Sequence, residues 1–136
     1  MVLYLTIFNR EAKDWLNQDI RIGYDRSDNQ LNEDFKPEWH HFFPKGVLKK
    51  HDIDDSKINI LSNIVILNEK ANRTFTSKEP TEYLKVQKVK RERLVEQLIP
   101  TDEDHWQVSN YDKFLEKRAS DLADESNKWM DKLKNG

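Results

Sequence analysis

The 136-residue sequence contains no cysteine. Disulfide bonds and thiolate metal sites are therefore excluded, and the absence is typical of a protein from a reducing compartment. Long apolar runs are also missing, since a run such as residues 64–67 is far shorter than the ~20 residues of a membrane span. The first 20 residues carry the charged side chains Arg10, Glu11, Lys13 and Asp14, so we expect no signal peptide. These absences predict a cytoplasmic protein without a membrane segment.

Charged residues make up 35% of the chain and hydrophobic residues 36%, but the 4 Trp, 4 Tyr and 6 Phe supply large pieces of surface that can be buried. A chain that is disordered throughout rarely contains so many aromatic residues. The length corresponds to about one domain on the usual scale of ~100–200 residues. We therefore interpret residues 1–136 as a single domain.

The net charge of −2 conceals an uneven distribution. Residues 69–93 hold eight basic and four acidic side chains, whereas the segments before and after them are both net acidic. Such a basic middle segment either forms a local phosphate-binding face or merely solvates one side of a helix, and charge alone favours the solvated helix.

Hydrophobic periodicity predicts a mainly α protein with a small two-strand insertion, which is an α+β fold. The expected elements are a first helix over 2–17 within a flanking helical segment 1–20, a loop over 18–37, strands over 39–43 and 63–67, and a helix over 69–75. A long helix from Pro80 to about residue 98 and a last helix, capped by Ser109 with Asp112 three residues on, fill residues 80–134. The chain begins inside a helical pattern without a capping residue, so we expect that an upstream part was cut away or is encoded separately.

Two adjacent histidines, His40 and His41, stand in the first predicted strand and are followed by Phe-Phe-Pro44. Asn63 comes 22 residues after His41 at the start of the second predicted strand, and Asn72 lies in the next helix. Neighbouring residues of a strand point to opposite faces, so the two histidines must have different roles. Taken alone, such a pair is more often a half-buried polar pair than an active site.

The order His40-His41-Phe-Phe-Pro44, Asn63-Ile-Val-Ile-Leu67 and Asn72-Arg73 resembles the HNH endonucleases, also called ββα-metal or His-Me finger nucleases. The resemblance places a ββα-metal core at 39–75, between the flanking helices. Many members bind a structural zinc through cysteines, and the corresponding positions here are Asn68 and Ala71, so that zinc is not expected. A second resemblance is to the C-terminal domain of GmrSD-like modification-dependent restriction enzymes. It rests on three segments, Phe42–Lys45, Asn72–Leu84 and Phe114–Arg118.

The resemblance implies a metal-dependent DNA endonuclease that hydrolyses phosphodiester bonds. His41 is then the general base, Asn63 orients it by a hydrogen bond across the hairpin, and His40 and Asn72 hold one divalent cation. The cation would be Mg²⁺ or Mn²⁺, and the His40 nitrogen, where many members have Asp, moves the preference towards Mn²⁺, Ni²⁺ or Zn²⁺. Two protein ligands predict weak binding. The expected phosphate-binding side chains are Lys45, Arg73 and Lys78.

The implied partners are DNA and a nucleotide-hydrolysing domain, either N-terminal or encoded separately, in a restriction or defence system. Cleavage of both strands needs two sites or two nicks, which favours a homodimer, and the chemistry does not exclude RNA. Two other functions stay open: an inactive HNH-fold module that binds nucleic acid or protein, and a purely structural helical domain. His51 with Asp52, Asp54 and Asp55 forms either a second cation site or a solvated loop.

Overall fold

The computed structural model describes residues 2–16, 22, 37–68, 71, 74 and 78–135. These residues form a mostly helical protein with one two-stranded antiparallel sheet, which is compatible with the predicted α+β class. The elements are helices α1 (Val2–Asn9), α2 (Lys45–Lys50), α3 (Asp55–Ile58), α4 (Pro80–Val86), α5 (Arg91–Glu96) and α6 (Tyr111–Asn135), strands β1 (Pro37–His41) and β2 (Ile64–Asn68), and 3₁₀ turns at Leu61–Asn63, Glu103–Trp106 and Val108–Asn110.

Two of the predicted helices are shorter than expected. The helix predicted over 2–17 ends at Asn9, and the long helix predicted from Pro80 is divided into α4 and α5. Ala71 and Thr74 are helical, and the rest of the predicted 69–75 helix lies outside the described residues. The predicted loop over 18–37 lies outside them too, apart from positions 22 and 37.

Helices α1, α2, α4 and α5 all end in the same way. The residue just past the last turn adopts a left-handed backbone, with φ between 52° and 60°, at Glu11, Asp52, Lys88 and Leu98. In each case the next residue is apolar and donates its N–H to the carbonyl five residues earlier, as Ile99 does to Leu94 at 2.9 Å. This is the Schellman motif, in which glycine is the usual left-handed residue. Tertiary packing of the apolar residue that follows therefore ends these helices where periodicity alone would continue them.

The β-hairpin lies between two apolar clusters. Strands β1 and β2 pair in the register His41↔Ile64 to Pro37↔Asn68. Val65 and Leu67 belong to the larger cluster, which also contains Phe42, Phe43, Tyr83 and Phe114. Ile64 and Ile66 point the other way, into a smaller cluster with Leu3, Ile7 and Leu122. All five residues of β2 are buried, because helices cover both of its faces.

Side chains form hydrogen bonds with backbone groups along the outer edge of β2, where a third strand could otherwise pair. The Gln97 amide accepts from Ile66 N at 2.9 Å and donates to Ile66 O at 2.6 Å, which imitates one rung of a sheet. Asp14 Oδ1 accepts from Asn68 N at 2.7 Å. An exposed strand edge invites pairing with another chain, and these bonds occupy that edge within the monomer.

Within the described part of the chain, no helix combines the length and the apolar character that crossing a membrane requires.

Candidate functional site

His40 faces the larger cluster and is only 2% exposed. Its ring meets the ring of Tyr83 edge-on, with centroids 6.0 Å apart. The Tyr83 hydroxyl donates to the carbonyl of Phe42 at 2.6 Å, and burial raises the pKa of this hydroxyl well above its ordinary value, so it stays a donor. The rings of His40 and Tyr83 and the chain that follows β1 are therefore fixed against one another.

His41 lies on the opposite face of β1, as the alternation of a strand requires, and its side chain is half-buried. Its Nε2 atom is 2.9 Å from Oδ1 of Asn59, which directly follows α3. An amide oxygen only accepts hydrogen bonds, so this contact places the imidazole proton on Nε2 and leaves the lone pair on Nδ1. We call these two residues the His41–Asn59 pair.

Asn63 is fully buried, and its side chain does not orient His41, so that prediction is wrong. Its Oδ1 accepts from Phe43 N at 2.9 Å, and its Nδ2 donates to the carbonyls of Phe43 and Ile58 at 3.2 and 3.1 Å. These bonds tie the segment after β1 to the segment before β2. The amide is fully engaged by backbone groups, and Asn59 stands where Asn63 was expected. Nothing in the sequence separates Asn59 from an ordinary solvated asparagine.

Arg118 of α6 is fully buried beneath the start of β2. Its Nη1 donates to the carbonyls of Ser62 and Leu61 at 3.0 and 3.4 Å and to that of Ile64, and its Nη2 donates to Gln97 O at 3.1 Å. Burial lowers the pKa of Arg118 to about 9, which still leaves the guanidinium charged at neutral pH. The carbonyl dipoles compensate that charge. We call Asn63, Gln97 and Arg118 the β2 junction.

The role of Arg118 was missed at the sequence level, although it left a signal there. Arg118 occupies an apolar position in the series Phe114, Leu115 and Leu122 along α6. A charged residue at such a position is expected to be either a break in the apolar face or a buried group with many partners. The structure shows the second case.

The expected phosphate-binding residues are only partly described. Lys45 is exposed at the start of α2. Lys78 is exposed just before α4 and pairs with Glu82 at 3.4 Å. Arg73 and Asn72 lie outside the described residues. Their predicted roles stay predictions.

Of the two predicted metal ligands, the structure describes only His40. Ala71, which directly precedes Asn72, packs in the larger cluster together with Tyr83, the ring partner of His40. An imidazole together with an amide would be a donor set that suits weak binding of one divalent cation. Among the described residues, no group of three or more His, Asp or Glu could hold a metal.

The acidic segment after α2 has local partners. Asp54 caps α3 by accepting from Asp55 N at 3.0 Å and from Ser56 Oγ at 3.1 Å, and Asp55 pairs with Lys49 at 3.8 Å. Asp54 serves the start of α3 and Asp55 is paired with a lysine of α2, which favours the reading of this segment as a solvated turn over a second cation site.

Comparison with known proteins adds no assignment, since no family model, no curated protein and no solved structure matches this chain.

Proposed function

We propose that this chain is the nuclease part of a restriction or defence system and hydrolyses phosphodiester bonds of DNA, with His41 as general base and one divalent cation as cofactor. The observation that carries the proposal is the contact between His41 Nε2 and Asn59 Oδ1 at 2.9 Å. The resemblance to HNH endonucleases at His40-His41, Asn63 and Asn72 supplies the reaction class.

His41 meets the requirements of a general base. It is the last residue of β1 and half-buried, so water and a phosphate can reach it. The bond to Asn59 fixes the ring orientation and directs Nδ1, which carries the lone pair, away from that bond. Nδ1 takes a proton from the attacking water, and the bond to the amide oxygen stabilises the imidazolium that forms.

The β2 junction has a positioning role in this mechanism. Asn63 ties Phe43 to Ile58, and Asn59 is the residue that follows Ile58. Arg118 holds the carbonyls of Leu61, Ser62 and Ile64. Together, Asn63 and Arg118 set the distance between the end of β1 and the turn that carries Asn59. The catalytic geometry therefore depends on buried hydrogen bonds from these two side chains to the backbone.

His40 and Asn72 would hold the cation. When bound, this cation would neutralise the negative charge that develops on the phosphate and on the leaving oxygen. Tyr83 keeps the His40 ring in place, and Lys45, Arg73 and Lys78 attract the flanking phosphates of the substrate.

The test is nicking of supercoiled plasmid with Mg²⁺, Mn²⁺, Ni²⁺ or EDTA, using wild type, His41→Ala and the matched variant His51→Ala. His51 is an exposed histidine at the end of α2 and should be dispensable. We expect metal-dependent nicking that falls by ~10²–10⁴-fold in His41→Ala, the usual contribution of a general base, and is unchanged in His51→Ala.

A folded protein that binds DNA without cutting it in any of these metals would contradict the proposal and support the inactive binding module. Equal loss in both histidine variants would remove His41 from the role of base. Cleavage of single-stranded RNA under the same conditions would extend the substrate class without changing the assigned chemistry.

A further inference from the structure

We propose that Trp39 stacks on a base of the substrate next to the phosphate that is cleaved, and that the substrate strand is single-stranded or locally unpaired at that point. This inference deepens the proposed function and rests on it, because the position of the phosphate is taken from His41. Its own evidence is the place and the exposure of one tryptophan on β1.

Trp39 contributes little to the packing of the fold. It is 52% exposed, whereas Trp15 and Trp106 are 1% and 8% exposed. Within the part of the chain that the structure describes, Trp39 belongs to neither apolar cluster, and no other ring packs against it. An indole left half in water retains a large apolar surface that a bound partner can cover, and tryptophan is among the residues that contribute most to binding.

Strand alternation puts Trp39 on the same face of β1 as His41. In the register of the hairpin, Trp39 pairs with Ile66. His41 pairs with Ile64, and both isoleucines point into the smaller cluster. Residues two apart in a strand are separated by about 7 Å, which is of the same order as the separation between the base and the phosphate of one nucleotide. A base stacked on Trp39 therefore leaves its phosphate within reach of His41.

The neighbouring side chains favour the same arrangement. Glu38, the acidic residue of β1, lies on the opposite face by the same alternation, so no carboxylate of this strand repels a phosphate beside His41. Ile60 directly follows Asn59 and is 39% exposed, which adds apolar surface next to the His41–Asn59 pair. This side of the hairpin thus offers aromatic and apolar contacts to a base, beside an imidazole for the phosphate.

The geometry of stacking decides which form of the substrate fits. An unpaired base has an open face for an indole, and the contact tolerates any base, whereas in a duplex each base is already covered by its neighbours on both sides. Stacking on Trp39 therefore requires a single strand, a gap, or a base that has left the stack. Trp39 selects the substrate by its strand state and not by its sequence.

Binding of oligonucleotides in EDTA tests the inference without cleavage. The probe is a short fluorescein-labelled single strand of DNA, and the comparison is the same strand paired in a duplex. We expect wild type to bind the single strand at least ~10-fold more tightly than the duplex, since only the unpaired strand gains the stacking contact. The single strand should also quench tryptophan emission, because a base stacked on an indole quenches its fluorescence.

Three variants assign these signals. Trp39→Leu keeps an apolar side chain without a ring and should weaken single-strand binding by about 10–100-fold. Trp39→Phe should retain most of the binding, because a phenyl ring still stacks, but should lose the quenching. The matched control is Val86→Ala, which shortens a side chain that is 59% exposed at the end of α4, a helix whose buried residues belong to the larger cluster. It should bind like wild type.

Equal binding of the single strand and the duplex would overturn the inference, as would a Trp39→Leu variant that binds like wild type or loses no more than Val86→Ala. If the same protein nicks plasmid with metal, the proposed function stands without the inference. Conversely, single-strand binding that depends on Trp39 in a protein that cuts no DNA supports the stacking contact and overturns the proposed function alone. A protein that binds neither form would overturn both.

Discussion

The His41–Asn59 pair and the β2 junction lie at the same end of the hairpin but differ in what their polar atoms contact. In the junction, Asn63, Gln97 and Arg118 are buried, and their described bonds go to backbone groups. In the pair, one side chain binds another within reach of solvent. Buried polar groups need partners and therefore fix the chain, whereas a half-buried imidazole is held yet open to reactants.

The two asparagines make the difference concrete. Asn59 and Asn63 are four residues apart and chemically identical. Asn63 is 0% exposed and makes three bonds to the backbone, while Asn59 is exposed and contacts the ring of His41. Stability should therefore depend on Asn63 and reactivity on Asn59.

The strongest way to break the junction is Arg118→Met. The substitution removes this donor from four carbonyl groups, and three of them, those of Ser62, Ile64 and Gln97, are left buried. We expect the free energy of unfolding, measured by urea denaturation, to fall by about 3 kcal/mol or more. Arg118→Lys keeps the charge with fewer donors and should lie in between. Equal stability of wild type and Arg118→Met would show that these bonds contribute nothing net.

A smaller loss of stability is expected for Asn63→Ala. Removing the amide leaves the Phe43 N–H and the carbonyls of Phe43 and Ile58 without this partner, which should lower the free energy of unfolding by about 2–3 kcal/mol. Asn59→Ala is the matched control and should change it by less than ~0.5 kcal/mol. If both variants lose the same stability in parallel urea titrations, the contrast between the two regions is wrong.

Asn59→Ala should instead act on reactivity. Losing one hydrogen bond to His41, worth about 1.4 kcal/mol, predicts a ~10-fold slower plasmid nicking rate at unchanged stability. In the double variant His41→Ala/Asn59→Ala the second change should have no further effect, because its target is gone. An additive loss in the double variant would mean that Asn59 acts on something other than the imidazole.

The smallest change in the free energy of unfolding is expected from substitutions at the helix ends. Lys88 and Leu98 share the left-handed backbone, but Lys88 is exposed, while Leu98 packs against the smaller cluster next to Gln97. Lys88→Gly relieves the backbone strain and should raise the free energy of unfolding by about 0.5–1 kcal/mol. Leu98→Gly relieves the same strain but loses packing, so it should not stabilise. Thermal unfolding of the two variants side by side distinguishes them; stabilisation by both would show that Leu98 packing is unimportant.

Local sequence patterns account for much of the fold. The strands around His40-His41 and after Asn63 lie within two residues of their predicted positions, and α6 begins at Tyr111, two residues after the predicted cap Ser109. The opposite orientation of the two histidines follows from strand alternation and is confirmed. The helices predicted over 2–17 and from Pro80 to 98 were wrong in length, because left-handed residues end them without a glycine to announce it.

What the sequence by itself determined is therefore what repeats over a few residues: the alternation of the strands and the apolar face of α6. Only the tertiary structure decided that Asn59 meets His41, that Asn63 braces Phe43, and that Arg118 reaches Ser62. These bonds join residues 18, 20 and 56 positions apart. No local period encodes such distances, since they depend on how helices on both faces of the hairpin bring distant segments together.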